Sequence, residues 1–373
     1  MKNIIVLGSG MVGRAIAIDL SRNYPVTAVD INPVALDLLA SYPNINPLRF
    51  DLTQMDGIRS LVQGYNLVIG AVPGHLGFEV LKQVISAGKN VVDISFFPEN
   101  PFLLDTLAKQ HNVTAVVDCG VAPGLGNIIL GYHNRIMDVD RFVCLVGGLP
   151  LRRIWPWQYA TVFSPPDVIE EYVRPARFMQ QGKMVTREAL SDPELVEFDE
   201  VGTLEAWNSD GLRTLLTTMH IPDMIEKTLR YPGTIEYLRV LRESGFFSSE
   251  EVAIGNHKIK PVDLSSILLS KQWELKPGEE DFTVMRITIS GSKKEKRQQY
   301  TCHLFDRYDR DTDTLSMART TGYTCSAVAT LILEQGNLHP GICPPEFIGE
   351  DPCRFEYIIR YLRERNVNIS INS

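Results

Sequence analysis

Aliphatic runs recur along the first 119 residues: IIVL (4–7), PVTAV (25–29), PLRF (47–50), LVIGAV (67–72), VVDI (91–94) and TAVVD (114–118). Their spacing of roughly 20 to 25 residues leaves room for one helix between each pair. The intervening segments MVGRAIAIDLSRN, PVALDLLASY, GIRSLVQGY and GFEVLKQVISAG repeat apolar residues at three- and four-residue spacing, which gives each an apolar face to lay on a sheet. Strand and amphipathic helix in alternation predict an α/β, doubly wound parallel sheet of six strands.

Past residue 120 the pattern changes. DVDRFVCLVGGLP (138–150) and FTVMRITISGSKKEKRQQYTCHLFDRYD (282–309) read as long antiparallel strands, with KKEKR (293–297) a solvated turn between them. Helical, Pro- and Gly-punctuated segments separate them, so a second, α+β domain with a mixed or antiparallel sheet is expected. TTGYTCSAVATLILEQG and FEYIIRYLRERN return to helix around an expected loop, GICPPEF. The predicted division is 1–120, 121–317 and 318–373, the last packing back on the first domain.

Composition narrows the function. A chain of 373 residues, 44% hydrophobic, exceeds one usual core. The formal charge of −8 disfavours binding to a polyanion, so no nucleic-acid partner is expected. Six scattered cysteines form no CxxC pair and no zinc spacing, so neither metal nor disulfide framework is signalled and a reducing cytoplasm is the natural setting. No run of 18 apolar residues occurs, so no membrane span is expected.

The first strand runs into GSGMVG, residues Gly8, Ser9, Gly10, Met11, Val12 and Gly13. Gly8 allows the tight turn, Gly10 lets backbone approach a pyrophosphate, and Gly13 permits close helix packing on the sheet. Asp30 follows Gly8 by 22 residues at the end of the second strand. There it accepts hydrogen bonds from ribose hydroxyls and repels a 2′-phosphate, which makes the first domain Rossmann-type and favours NAD over NADP. A helix cap before NPVALDLL is the other reading of Asp30. Asp51 either meets the adenine edge or caps the next helix. Ala71, Val72 and Pro73, in GAVPG after the fourth strand, either line the nicotinamide or form a plain turn. A methyltransferase also holds adenosine on a Gly-rich loop, but the third glycine speaks against it.

DCGVAPGLGN (118–127), SPPDVIEEYVRPARF (164–178), LEAWNSDGLRTLL (204–216), KTLRYPGT (227–234), ARTTGYTCSAVA (318–329) and GICPPE (341–346) together resemble the saccharopine dehydrogenase family, most closely its lysine 6-dehydrogenase branch. The resemblance implies an NAD(P)-dependent oxidoreductase acting on a CH–NH2 or CH–NH group. For the lysine branch this is oxidative deamination of a terminal amine; the alternative is a saccharopine- or carboxynorspermidine-type imine reductase. A dinucleotide-binding protein without turnover is the reading outside enzymes. Two departures pull apart: saccharopine-forming reductases resemble xxDPG where this chain has Val121-Ala122-Pro123-Gly124, and lysine 6-dehydrogenases show YPGH where it has Thr234.

For an amino-acid substrate the resemblance at TLRYPG makes Arg230 the first candidate to bind the α-carboxylate, since a guanidinium binds a carboxylate through two parallel hydrogen bonds; Arg213 in DGLRT, with Thr214 adding a hydroxyl donor, is the second candidate. The resemblance places Gly120, Pro123 and Gly124 beside the substrate. Hydride can leave the amine-bearing carbon only when the nitrogen is neutral, and a free lysine amine has a pKa of about 10.4. Asp93 and Asp118, at the ends of the fifth and sixth strands, are the candidate bases, with Tyr231 and His220 as further acid/base groups. Cys119 reads as a packing residue. The strands of the second domain suggest a homodimer formed through a sheet.

Overall fold

Each aliphatic run of the first 120 residues becomes a strand because β-branched side chains buried on both faces suit a parallel sheet. In the computed structural model, which describes residues 2–161, 165–276, 278–336 and 338–373, these are β1 (Ile4–Leu7), β2 (Val26–Asp30), β3 (Ile45–Arg49), β4 (Leu67–Gly70), β5 (Val91–Asp93) and β6 (Thr114–Val116). Ser164, the first residue of SPPDVIEEYVRPARF, lies outside the described residues. All pair in parallel in the order β6-β5-β4-β1-β2-β3.

A seventh strand, Gly341–Cys343, extends the β6 edge in register Gly341 to Thr114 and Cys343 to Val116. The sequence reading expected a loop there, because three residues carry no periodicity. What makes them a strand is the edge they meet: Gly341 N–H donates to Val113 O (2.8 Å), Ile342 N–H to Asp105 Oδ1 (3.0 Å), and Thr114 Oγ1 to His339 O (3.1 Å).

The chain divides into two units, residues 1–137 with 317–368, and residues 138–316 with 369–373. The expected cuts at 120/121 and 317/318 therefore need correction at the first boundary and at the C-terminus. Helix Leu125–Ile136 stays with the first unit because it packs backbone to backbone on helix Pro345–Gly349. A Cβ on Gly131 would lie 2.1 Å from Glu346 O, and one on Gly349 would lie 2.0 Å from Ile128 O. The C-terminal helix Pro352–Arg363 is tied to helix Met11–Ser21 by the buried carboxylate of Asp19, which accepts from Tyr361 Oη (2.7 Å) and Arg365 Nε (2.6 Å). The last strand, Ile369–Asn372, instead pairs with Lys296–Arg307 of the second unit.

The second unit is built on a mixed sheet of nine strands among the described residues. At its centre, Asp138–Pro150 pairs antiparallel with Asp281–Lys293 and parallel with Asp223–Arg230. Asp281–Lys293 turns into Lys296–Arg307 through Lys294 (φ 51°) and Glu295 (φ 64°). Two successive positive φ values suit a two-residue hairpin turn, and the basic run is the solvated turn its charge pattern predicts. Trp207, Trp273 and Tyr172 centre one core cluster of this unit. No described helix is long and apolar enough to cross a membrane.

The packing of Gly131 on the Glu346 carbonyl is testable. Gly131→Ala forces backbone apart and is expected to destabilise the chain by at least about 2 kcal/mol, read as a lower urea midpoint; a midpoint equal to that of the unaltered protein would show that the two helices do not approach this closely.

Candidate active site

At the carboxyl edge of the parallel sheet, Gly8 (φ +103°) turns the chain out of β1. A Cβ there would lie 2.3 Å from Ala71 O, and one on Gly13 would lie 2.1 Å from Gly8 O, so both glycines are required by packing. Gly10 differs: nothing lies within 4 Å of the position its Cβ would take. It is also the N-cap of helix Met11–Ser21 and has no side-chain capping bond. An open cradle at a helix N-terminus, with its dipole and unsatisfied N–H groups, fits the pyrophosphate of a dinucleotide.

Asp30 is bound into this turn. Its Oδ2 accepts Ser9 N–H (2.8 Å) and its Oδ1 accepts Asn32 N–H (2.9 Å). The capping alternative is corrected, since Asn32 caps helix Pro33–Asp37 by accepting Val34 N–H (3.0 Å). Asp51 accepts both the hydroxyl (2.7 Å) and the N–H (3.0 Å) of Thr53, which hold its carboxyl below the usual value. The helix beyond it starts at Met55 with Gln54 in the N-cap position and no side-chain capping bond, so Asp51 closes the preceding turn. Ala71 donates its N–H to Leu7 O (2.9 Å), and Pro73 is the N-cap of helix Gly74–Ser86. Val72 is 6% exposed. The GAVPG segment thus runs from strand directly into helix beside the Gly-rich turn.

Two buried carboxylates follow on the same edge. Asp93 accepts from Ser95 N–H (2.8 Å) and Ser95 Oγ (3.3 Å). A Cβ on Gly70 would lie 1.8 Å from Asp93 Oδ2, so Gly70 leaves the volume this carboxylate occupies. Asp118 is also buried and holds a left-handed backbone (φ 53°), uncommon for a non-glycine residue. Burial pushes the neighbouring Cys119 thiol far up, which leaves it a neutral packing group.

The turn after Asp118 is closed by Gly120 N–H to Pro123 O (3.0 Å) and Leu125 N–H to Gly120 O (2.9 Å). Gly124 (φ +136°) donates its N–H to Asn127 Oδ1 (3.1 Å), and Asn127 Nδ2 donates to Glu346 Oε2 (2.9 Å). Neither Asn127 nor Glu346 stood out in the sequence reading. They are 219 residues apart, so no local pattern joins them.

In the second unit Arg230 ends strand Asp223–Arg230 and is 2% exposed. Its Nη2 pairs with Glu171 Oε2 (2.9 Å) and its Nη1 donates to Leu229 O (2.9 Å). The guanidinium lies 4.3 Å over the Tyr159 ring and 5.4 Å from that of Trp207. Against the cost of burial, the facing oxygens of Tyr172, Tyr159 and Glu171 hold it cationic. Arg230 Nε, Tyr159 Oη, Trp207 Nε1 and Trp273 Nε1 are buried without hydrogen-bond partners among the described residues. Glu171 and Tyr159 were likewise not singled out from the sequence, since no spacing links them to Arg230.

Tyr231 donates its hydroxyl to Pro150 O (3.0 Å) and lies under Arg153, 4.9 Å from its guanidinium carbon. Burial raises its phenol above the ordinary value, against the opposing pull of Arg153. Its hydroxyl thus donates to a backbone carbonyl in this structure. Arg213 (φ 49°) and Thr214 are buried at the start of helix Leu215–Thr218, while His220 is exposed. The dinucleotide candidates, Asp93, Asp118 and the Gly120–Gly124 turn thus gather in the first unit; Arg213, Thr214, Arg230 and Tyr231 belong to the second.

Comparison with known proteins covers both units. Residues 4–116 match the saccharopine dehydrogenase NADP binding domain and residues 120–367 the saccharopine dehydrogenase C-terminal domain. The L-glutamate-forming, NADP(+) saccharopine dehydrogenase of Pyricularia oryzae is 26% identical over 67% of this chain and 59% of its own length. The corresponding enzyme of Schizosaccharomyces pombe is 23% identical over 92% and 94%. Mouse mitochondrial alpha-aminoadipic semialdehyde synthase is 28% identical over 72% of this chain and 31% of its own length. The chain thus spans about three fifths of the Pyricularia enzyme and under a third of the mouse one. In fold it matches saccharopine dehydrogenase (L-Glu forming) from Saccharomyces cerevisiae with a TM-score of 0.78 at 18% identity over the whole of both chains. Matched in both halves, with only residues 117–119 between them, the chain belongs to the saccharopine dehydrogenase family.

Proposed function

We propose that this protein is a nicotinamide-dinucleotide-dependent oxidoreductase that makes or breaks the carbon–nitrogen bond of a saccharopine-like amino acid. The observation that carries this reading is the match of residues 120–367 to the saccharopine dehydrogenase C-terminal domain. A bound dinucleotide would supply the hydride acceptor or donor, and the Gly8–Gly13 turn, Asp30 and Ala71–Pro73 would hold it.

Arg230 takes a substrate carboxylate. Glu171 occupies one edge of its guanidinium, leaving Nε as a donor without an acceptor; Tyr159 Oη and the Trp207 indole N–H beside it are without hydrogen-bond partners among the described residues too. The guanidinium and indole N–H groups are donors only and the phenol can donate as well, a set that a carboxylate satisfies. Arg213 with Thr214 is the second candidate for that carboxylate, and the Gly120, Pro123 and Gly124 backbone borders the reacting carbon. Asp93 or Asp118 takes the proton from the substrate nitrogen, which frees the lone pair for imine formation as hydride departs.

One observation favours lysine 6-deamination as a second reading: Val121-Ala122-Pro123-Gly124 lacks the carboxylate of a saccharopine-type turn. The two are separated by following reduced nicotinamide with saccharopine or lysine as the sole amine. Oxidation of saccharopine and none of lysine is the expected outcome; turnover of lysine alone would move the assignment to deamination.

The cofactor preference rests on opposed features. The fungal relatives are named as NADP(+) enzymes, whereas Asp30 disfavours a 2′-phosphate. Arg49 lies in register beside Asp30, its Nε donating to Ile31 O (3.3 Å), and puts a cation next to that carboxylate. Both cofactors are expected to be used, with Asp30→Asn raising the ratio of kcat/KM for NADP over NAD by about tenfold, the scale of one charge-assisted contact. An unaltered ratio would remove Asp30 from the cofactor site.

Arg230→Lys keeps the charge but loses the fork. It is expected to lower kcat/KM for the amino acid roughly 10- to 100-fold, with the dissociation constant of the dinucleotide unchanged by fluorescence titration. Full activity in this variant would exclude Arg230 as the carboxylate ligand.

A further inference from the structure

The ion pair at Arg230 is left open at both partners. Glu171, on helix Pro165–Val173, meets the guanidinium through Oε2 alone, 2.9 Å from Nη2. Its Oε1 has no hydrogen-bond partner among the described residues, and neither has Arg230 Nε. An Arg–carboxylate pair is strongest when it closes as a fork of two parallel bonds. Here one oxygen and one N–H are held back from the fork, an acceptor beside a donor.

Solvent reaches this cluster at Glu171. Its side chain is 21% exposed against 2% for Arg230, and the surrounding Tyr159, Tyr172 and Trp207 are buried. A ligand that comes to the guanidinium from that side therefore passes a carboxylate first.

The charges decide what can settle there. Glu171 already neutralises Arg230, so a plain carboxylate brought to Nε adds a second negative charge beside the first, where burial weakens screening. Burial raises the Glu171 carboxyl against the pull of Arg230, and Asp167 one turn earlier raises it too, so Arg230 alone does not compensate this carboxylate. A simple amine on Oε1 would supply the missing cation but leave Nε without an acceptor. An ammonium and a carboxylate on one carbon satisfy both atoms and add no net charge.

We propose that Glu171 is a specificity-determining residue, which takes the free α-ammonium of the substrate while Arg230 takes the α-carboxylate on the same carbon. The site thereby admits an α-amino acid head and rejects a plain carboxylate arm, and the nitrogen that reacts is a different one. This rests on the reading that Arg230 binds a substrate carboxylate.

L-Norleucine and hexanoate, which differ only in the α-amine, test this by calorimetric titration of the full chain with saturating NAD. The unaltered protein is expected to bind L-norleucine at least about tenfold more tightly, the scale of one charge-assisted contact. Glu171→Gln, of the same size and with an unchanged far-UV spectrum, is expected to weaken L-norleucine about tenfold and hexanoate not at all. Glu171→Asp keeps the charge and is expected to retain part of the preference. An unchanged preference in Glu171→Gln, equal weakening of both ligands as from a residue that only orients Arg230, or binding of neither ligand by the unaltered protein would overturn the proposal. Arg230→Lys tells which reading has failed. Weakening of both ligands upholds Arg230 as the carboxylate site whatever Glu171 does, whereas unchanged affinity for both removes that site and the proposal with it.

Discussion

Two carbonyl oxygens, those of Ala71 and Gly8, occupy the volumes that side chains at positions 8 and 13 would need. That crowding draws β1, β4 and helix Met11–Ser21 together at one corner, and the remainder of the carboxyl edge is arranged from it. Gly70 repeats the device one strand over, leaving space for the Asp93 carboxylate. The edge thus presents open backbone at the Gly10 turn and buried carboxylates at Asp93 and Asp118. Asp30, bonded to Ser9 N–H, holds the end of β2 in line with the turn.

The second unit solves a different problem, keeping a cation inside an aromatic core. Burying a guanidinium is costly unless it is paired and hydrogen-bonded. Glu171 and the ring faces of Tyr159 and Trp207 supply part of the compensation, and the orphaned Nε marks the part they do not supply.

Elements whose signal is local were legible in the sequence: the six strands with their twenty-residue rhythm, the Gly-rich turn, and the two-residue turn inside KKEKR. What stayed hidden depends on partners far along the chain. GIC became a strand only because β6 offered an edge, and Asn127 acquired its role from Glu346, 219 residues on. Tyr231 was legible as a residue of interest, but its hydrogen bond was not, because the Pro150 carbonyl that accepts it lies 81 residues upstream. The family resemblance located Arg230, while its enclosure by Glu171, Tyr159 and Trp207 is a product of packing.

The short strand Gly341–Cys343 also sets a schedule for synthesis. Thr114, on β6, waits 225 residues for its partner His339 to emerge. At about 5–20 residues per second, the nascent sheet holds an open edge for roughly 10–45 s. Through that interval β6 lacks the neighbour that it has in the folded chain. The inserted second unit is therefore made while the first is unfinished.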